Sequence, residues 1–148
     1  MRVFRRLPRP FRRVIIRSFT PSYTVGAVLV LQRSDRTVLL VAQRHTPGWA
    51  LPGGLLRRGE TAADGVVREV EEEVGLVLDP ADLPLPTAVV APRVRRVDVV
   101  YMFGDGDQVM ARRGPDHDEV LGVGWYPLDA LPDVSDATLD ILHGVRLI

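Results

Sequence analysis

The amphipathic pattern of residues 61–75 constrains the fold more than any other feature of the chain. Alanine and valine recur there at helical spacing and form one continuous apolar stripe. Thr61 and Asp64 provide a capping-box-like start, and Gly75 is a typical stop signal. The pattern therefore predicts a helix over residues 61–74 that packs its apolar stripe against a core.

The polar side of this helix carries a dense group of carboxylates. Glu69, Glu72 and Glu73 share one face at about 100° per residue, whereas Glu71 points to the other side. Arg68, four residues before Glu72, supplies one compensating charge, and a bound cation would supply the remainder. Oxygen donors without nearby Cys or His favour Mg²⁺ or Mn²⁺ over zinc. A solvated helical face is the alternative interpretation of such a run.

A glycine- and proline-rich segment, residues 47–60, leads into the helix. It contains Gly53 and Gly54, and Gly59 precedes Glu60. Glycine lets backbone N–H and C=O groups approach a ligand closely. We expect a long loop with a short extended piece at residues 49–51, which works with the helix as one unit.

Apolar runs rich in β-branched residues predict strands before and after this helix. The first two are expected to pair as a hairpin across a short turn, and a second helix capped by Ser135 is expected near the end. The predicted fold class is α/β, with a mixed sheet covered by helices. The expected strands are 23–32, 38–43, 87–91, 95–103 and 121–126, with a loop at 104–118 and a helix at 135–145.

Length and composition fit one soluble domain. The chain has 148 residues, of which 46% are hydrophobic, and this is enough for a single buried core. No apolar run reaches the roughly 18 residues that a membrane span needs. The absence of cysteine excludes disulfides, thiolate catalysis and cysteine-based metal sites. We expect a cytoplasmic protein, and the use of arginine as the only basic residue besides histidine indicates a GC-rich, bacterial genome.

Charge is divided unevenly along the chain. Residues 1–17 carry seven arginines and no acid, so the remainder has a net charge of −7. A body this acidic argues against a dedicated nucleic-acid-binding domain, because binding of phosphates needs a basic surface. We divide the chain into a basic N-terminal segment, residues 1–20, and one globular domain, residues 21–148.

The basic segment allows three interpretations. Val14, Ile15, Ile16 and Phe19 lie among the arginines, as in an organellar transit peptide or a membrane-surface helix. Binding to a phosphate-rich partner is the second interpretation. We favour the third, a short amphipathic helix around residues 11–19 that packs on the body or on the second subunit of a homodimer.

Residues 54–76, GLLRRGETAADGVVREVEEEVGL, resemble the signature box of the Nudix hydrolases at all nine of its defined positions. The lead-in WALPG at residues 49–53 and the segment WYPL at residues 125–128 also resemble this family. The resemblance implies an α/β/α sandwich with a mixed sheet and a loop–helix–loop active site. It also implies Mg²⁺- or Mn²⁺-dependent hydrolysis of a nucleoside diphosphate linked to another moiety.

The resemblance further implies roles for the residues of the box. The backbone carbonyl of Gly53 corresponds to an additional metal ligand, and Glu60 with Arg68 corresponds to the pair that braces the loop and orients the glutamates. The side-chain metal ligands of the family correspond here to Glu69, Glu72 and Glu73.

Two carboxylates are candidates for the base that accepts a proton from water. Relatives use either the first glutamate of the box, here Glu69, or an acid from a later loop, here Glu119. Glu119 ends the acidic run that starts with Asp116 and His117. An exposed turn is the alternative interpretation of that run.

Substrate contacts and substrate identity stay open at this stage. The lead-in to the box resembles MutT-type enzymes, which act on oxidised nucleoside triphosphates, whereas Pro92 stands near a proline of ADP-ribose pyrophosphatases. A catalytically weak nucleotide-sensing or interaction module is the alternative function, although such domains typically lack box glutamates that are present here. The candidates for substrate contact are Arg57 and Arg58 on phosphates, and Tyr101 and Trp125 on a base; exposed arginines and core aromatics are the alternatives.

Overall fold

A computed structural model describes residues 21–104, 106–110, 112–115 and 118–148. Within these ranges, the connections contain the short 3₁₀ helices Pro80–Asp82 and Gly106–Gln108. The strands are β1 (Thr24–Leu31), β2 (Thr37–Gln43), β3 (Trp49–Ala50), β4 (Gly53–Leu55), β5 (Thr87–Ala91), β6 (Arg96–Phe103) and β7 (Val120–Pro127), and the helices are α1 (Ala62–Val74) and α2 (Asp136–Gly144).

The strands form two sheets. The larger sheet has the order β4-β1-β6-β5, in which β1 and β6 run parallel over eight residue pairs and the other neighbours are antiparallel. The smaller sheet has the order β3-β2-β7 and is antiparallel. Parallel and antiparallel pairs therefore occur together, and the predicted α/β class with a mixed sheet is confirmed.

The predicted hairpin of the first two strands is wrong. Only Gln32 and Val38 form a bridge between them, after which β1 and β2 enter different sheets. Both strands are buried over most of their length. A run that is apolar on both faces carries no alternation that identifies its partner, so a short connection alone suggested the wrong pairing.

Strand β1 separates two apolar clusters. Ala27, Leu29 and Leu31 pack with the valines of α1, whereas Val28 and Val30 pack with residues of α2. Successive side chains of a strand point to opposite faces, so the two helices cover opposite sides of the larger sheet. This is the layered arrangement that the resemblance implied.

Both helix starts follow the predicted capping residues. The Thr61 hydroxyl accepts a hydrogen bond from the backbone N–H of Asp64 at 3.2 Å and donates to its carboxylate at 2.6 Å. Ser135 caps α2 in the same manner, accepting from the N–H of Thr138 at 3.3 Å. Gly75 ends α1 with a positive φ of 66°.

The basic segment, residues 1–20, lies outside the described residues, so its packing stays a prediction. Within the described ranges, neither helix is long and apolar enough to cross a bilayer.

We expect deletion of residues 1–19 to lower the melting temperature or to dissociate a dimer. Burial of Val14, Ile15, Ile16 and Phe19 would contribute about 25 cal/mol per Å² of apolar surface. Thermal melting and light scattering on the shortened and full-length chains measure both effects. An unchanged melting temperature together with an unchanged mass would contradict packing and favour a phosphate-rich partner.

Candidate active site

Two glycines bring strand β4 into close contact with its neighbours. A side-chain carbon at Gly53 would lie 2.3 Å from the carbonyl oxygen of Ala27, and Gly53 has a φ of 141°. A side-chain carbon at Gly54 would lie 2.6 Å from Oε1 of Glu69. Backbone atoms exclude a side chain at Gly53, and a side chain at Gly54 would displace the carboxylate of Glu69, so the close approach predicted for this loop brings its backbone against the carboxylates of α1.

Glu73 is held by the ends of two strands. Its side chain is buried, with 5% of the residue surface exposed, and Oε2 accepts a hydrogen bond from the backbone N–H of Gly53 at 2.9 Å. The side-chain amide of Gln43 donates to Oε1 of Glu73, and Thr46 donates to Oε1 of Gln43 at 2.9 Å. Sequence reasoning missed Gln43, whose only signal was a polar residue at the end of an apolar strand.

Glu60 and Arg68 form a bidentate ion pair. Arg68 donates from Nε to Oε1 at 2.8 Å and from Nη2 to Oε2 at 3.0 Å, and the backbone N–H of Arg57 donates to Oε2 at 2.8 Å. The two side chains are 17% and 13% exposed. Two parallel N–H···O bonds fix the orientation of both groups, so the loop before α1 is tied to the middle of that helix.

The same guanidinium contacts two further carboxylates. Nη1 of Arg68 lies 2.6 Å from Oε1 of Glu69 and 3.2 Å from Oε2 of Glu72. Nη2 of Arg57 lies 3.4 Å from Oε1 of Glu72. The hydrogen bond to Glu60, followed by the contact with Glu69, raises the pKa of Arg68 above its ordinary value. Two arginines, where the sequence had suggested one, thus offset the repulsion between the glutamates.

The glutamates of the box do not converge on a single point in this arrangement. Glu73 faces Gly53, whereas Glu69 and Glu72 face Arg68. Among the described residues, no three acidic or histidine side chains are placed to enclose one metal ion. The chemistry of the donor set nevertheless fits a hard divalent cation, because all the available side-chain donors are carboxylate oxygens.

Glu71 lies apart from the other three glutamates. It is exposed, whereas Glu73 is buried and Glu69 and Glu72 are partly buried. The phase of α1 is therefore the predicted one. The exposed Glu71 provides a natural control for substitutions at the other positions.

A cavity of about 310 Å³, here called the active-site cavity, opens between α1, β4 and the start of α2. Both candidates for the base, Glu69 and Glu119, line it, although they come from distant parts of the sequence. Asp116 and His117, which precede Glu119 in the acidic run, lie outside the described residues. The polar lining includes the backbone of Gly53 and Gly54 and the side chains of Glu69, Glu73, Glu119 and Arg96.

Residues 21–143 match the family model described as the NUDIX domain, and the match includes α1, β4 and every residue placed around this cavity. The chain belongs to the Nudix family.

Individual relatives support this assignment. The 8-oxo-dGDP phosphatase NUDT18 of Mus musculus is 32% identical over 126 residues, which cover 84% of this chain and 38% of the mouse protein. The MutT NUDIX hydrolase of Burkholderia pseudomallei has 27% identity and a TM-score of 0.66, with coverage of 84% of this chain and 98% of that one. The Nudix chain thus spans less than half of the curated mouse relative.

A third likeness concerns the fold alone. A bifunctional NMN adenylyltransferase/ADP ribose pyrophosphatase from Francisella tularensis, described as complexed with AMP and a manganese ion, has a TM-score of 0.68 at 20% identity. The alignment covers 93% of this chain and 45% of that protein.

The residues expected to contact substrate lie outside the active-site cavity of this Nudix domain. Arg57, whose side chain is 64% exposed, pairs with Glu72, and Arg58 is exposed. Tyr101 is only 5% exposed and packs in the core beside α1. Burial also raises the pKa of the Tyr101 hydroxyl. The structure thus places Tyr101 in the position of a core aromatic residue, with its ring among apolar side chains.

Trp125 packs against Arg33, which binds the segment after β6. The Arg33 guanidinium lies 3.8 Å from the centre of the Trp125 ring, and Arg33 donates to the carbonyl oxygens of Gly106 and Val109 at 3.2 and 3.0 Å. A ring covered by a guanidinium cannot also stack on a base through that face. Trp125 thus supports Arg33, which in turn holds the segment after β6 through its two hydrogen bonds.

We expect protonation of Glu60 to lower the free energy of unfolding of the domain as the pH falls below 4.5. The hydrogen bonds from Arg68 and from the backbone N–H of Arg57 lower the pKa of Glu60 from 4.5 to about 2. A carboxyl with a lowered folded-state pKa stabilises the fold above pH 4.5, and that contribution is lost as the pH falls toward 2. Glu60→Gln removes this titration, so its stability should fall less steeply over that interval.

Urea unfolding in EDTA at several pH values measures the difference. Glu71→Gln is the matched control, since it removes an exposed carboxyl from the same region. If the free energy of unfolding fell equally in wild type and in Glu60→Gln between pH 4.5 and 2, the ion pair with Arg68 would not be a source of the acid sensitivity.

Proposed function

We propose that this Nudix domain hydrolyses a phosphoanhydride bond in a nucleoside diphosphate linked to another moiety. The observation that carries the proposal is the convergence of Glu69, Glu73 and Glu119 on one cavity beside the glycine backbone of β4. A phosphate chain needs both cation sites and an acceptor for a proton from water. Carboxylates that line one cavity can satisfy both requirements.

Glu69, Glu72 and Glu73, together with the carbonyl of Gly53, would hold Mg²⁺ or Mn²⁺. The cation, when bound, neutralises phosphate oxygens and lowers the pKa of a coordinated water. The all-oxygen donor set supports this assignment.

The residues of the chain itself position these groups. Gln43 and the N–H of Gly53 fix the carboxylate of Glu73, and the Arg68–Glu60 pair fixes the helix relative to its loop. Such supporting contacts decide how precisely the ligands are presented. The contacts of Glu73 join β2 and β4 to α1, so they form only when the domain is folded.

Either Glu69 or Glu119 accepts the proton of the attacking water. Both line the active-site cavity, and so both stay candidates. Comparison of Glu69→Gln with Glu119→Gln separates them. A variant that still binds Mn²⁺ with ordinary affinity but has lost turnover identifies the base, whereas loss of Mn²⁺ affinity identifies a ligand.

We propose an oxidised guanine nucleotide as the first substrate to test. The support is the likeness to the mouse 8-oxo-dGDP phosphatase, which covers 84% of this chain. An ADP-ribose-like substrate is the alternative.

The experiment is a panel of nucleotides incubated with Mg²⁺ or Mn²⁺, with the products resolved by chromatography. The panel contains 8-oxo-dGDP, 8-oxo-dGTP, their unoxidised forms and ADP-ribose. The products identify both the substrate class and the bond that is cut. If the domain bound these nucleotides and hydrolysed none of them, a sensing module would replace the proposed enzyme.

A further inference from the structure

An ion pair that includes a lining residue of the active-site cavity has no part in the chemistry described so far. Arg96, at the start of β6, lines the active-site cavity and also a second cavity of about 320 Å³. Its Nε and Nη2 atoms both lie 2.7 Å from Oδ1 of Asp98, two residues along the same face of the strand. Asp98 is buried, with 3% of its surface exposed.

The pair has a fixed position because it lies on a glycine of the neighbouring strand. A side-chain carbon at Gly26 would lie 2.6 Å from Oδ1 of Asp98 and 3.1 Å from Nη2 of Arg96. The same point lies 3.2 Å from the carbonyl oxygen of Gly54, whose other side faces Glu69. The guanidinium is therefore placed next to the strand that carries the metal-site backbone.

The charge of Arg96 is already balanced. A buried carboxylate needs a partner, and Asp98 has this arginine. Within the described part of the chain, no acceptor contacts Nη1 of Arg96, so N–H groups of a rigidly held guanidinium remain for a ligand. The pair thus presents oriented donors with little net charge, which suits a neutral acceptor better than a phosphate.

The walls of the second cavity point to the same class of ligand. Val89, Val94 and Ile141 provide apolar surface, and Asp136 and Asp140 add negative charge that opposes a phosphate. Arg96, Ala137 and Ile141 line both cavities, which are therefore adjacent.

We propose that Arg96, positioned by Asp98, selects a guanine-type base while the phosphates of the same nucleotide lie at the glutamates. Guanine presents two neighbouring acceptors, O6 and N7, that an arginine fork can bind together. In 8-oxoguanine N7 carries a hydrogen, so O6 is the acceptor that both bases offer to Arg96. Adenine presents an amino donor in place of O6, which repels the guanidinium N–H groups. The assignment rests on the proposed function for the phosphate end, and it names the residue that determines base specificity.

The test compares binding of GMP and AMP in the presence of Mg²⁺, because the two ligands share the phosphate and differ in the base. We expect Arg96→Met to weaken GMP binding about tenfold or more while AMP binding changes less than about twofold. Arg96→Lys should behave similarly, since lysine keeps the charge but lacks the planar fork. Arg93→Met, in the exposed turn of the same β5–β6 hairpin and outside both cavities, is the matched control and should change neither affinity.

Asp98→Asn should also lower the ratio of GMP affinity to AMP affinity. A purely structural role of Asp98 would lower both affinities equally. Equal losses for GMP and AMP in the Arg96 variants, or no loss for either, would overturn the assignment, provided that melting curves show folded protein. Failure of the nucleotide panel would reject the hydrolase alone, because GMP and AMP contain no phosphoanhydride bond and their binding tests Arg96 independently of turnover.

Discussion

We expect removal of divalent metal ions to abolish nucleotide hydrolysis and to lower the melting temperature of the domain. The carboxylates of α1 repel the phosphate chain. Glu69 and Glu72 already form ion pairs with arginines of the same domain. A bound cation would offset that repulsion at the glutamates. Binding of a metal to the folded state alone also stabilises it, by about 2.7 kcal/mol at a hundredfold excess over Kd.

Hydrolysis assays and melting curves in EDTA, and after re-addition of Mg²⁺ or Mn²⁺, measure both effects. Ca²⁺ serves as a control for charge without the preferred geometry, since it tolerates longer and more numerous oxygen contacts than Mg²⁺. Hydrolysis that persists unchanged in excess EDTA would falsify the metal assignment.

The second large effect is expected from single substitutions in the box. Glu72→Gln and Glu73→Gln should each lower turnover by about two orders of magnitude or more, because each removes a charge that acts in the transition state. Glu71→Gln should stay near wild type, since that side chain is exposed away from the cavity. Steady-state kinetics on the three variants, with circular dichroism to confirm folding, provide the comparison.

The Glu73 variant separates a metal role from a packing role. Glutamine keeps an oxygen that can accept from the N–H of Gly53 at the 2.9 Å contact, whereas its amide group replaces the oxygen that accepts from Gln43, so the charge and one hydrogen bond are lost. A variant that melts normally and turns over normally would show that Glu73 only supports β4. A comparable loss of turnover in Glu71→Gln would contradict the assigned phase of α1.

Local patterns in the sequence determined the elements that carry the site. Helix α1, its cap at Thr61 and its end at Gly75 follow from spacing within about four turns, and so does the separation of Glu71 from the other glutamates. The strand at Thr87–Ala91 was predicted with its observed bounds. These properties depend on neighbours in sequence, so the sequence alone was enough for them.

Only the tertiary structure decided which distant residues meet. Strands β1 and β2 are buried on both faces, so their patterns did not reveal that they join different sheets. The contact of Gln43 with Glu73 depends on where β2 ends relative to α1, thirty residues further along. The sequence of a strand likewise does not show which residues cover an aromatic side chain, so only the structure shows that Tyr101 is buried in the core.

The Arg96–Asp98 pair shows most clearly the difference between what local sequence determines and what tertiary structure determines. Alternation along a strand predicts that these two side chains share a face, but nothing local indicates that Gly26 of a parallel neighbour leaves room for them. The register between β1 and β6 places that glycine opposite Asp98, and the loop of β4 then brings the pair to the active-site cavity. Side-chain chemistry was readable from the sequence, whereas its placement against a cavity required the long-range pairing of strands.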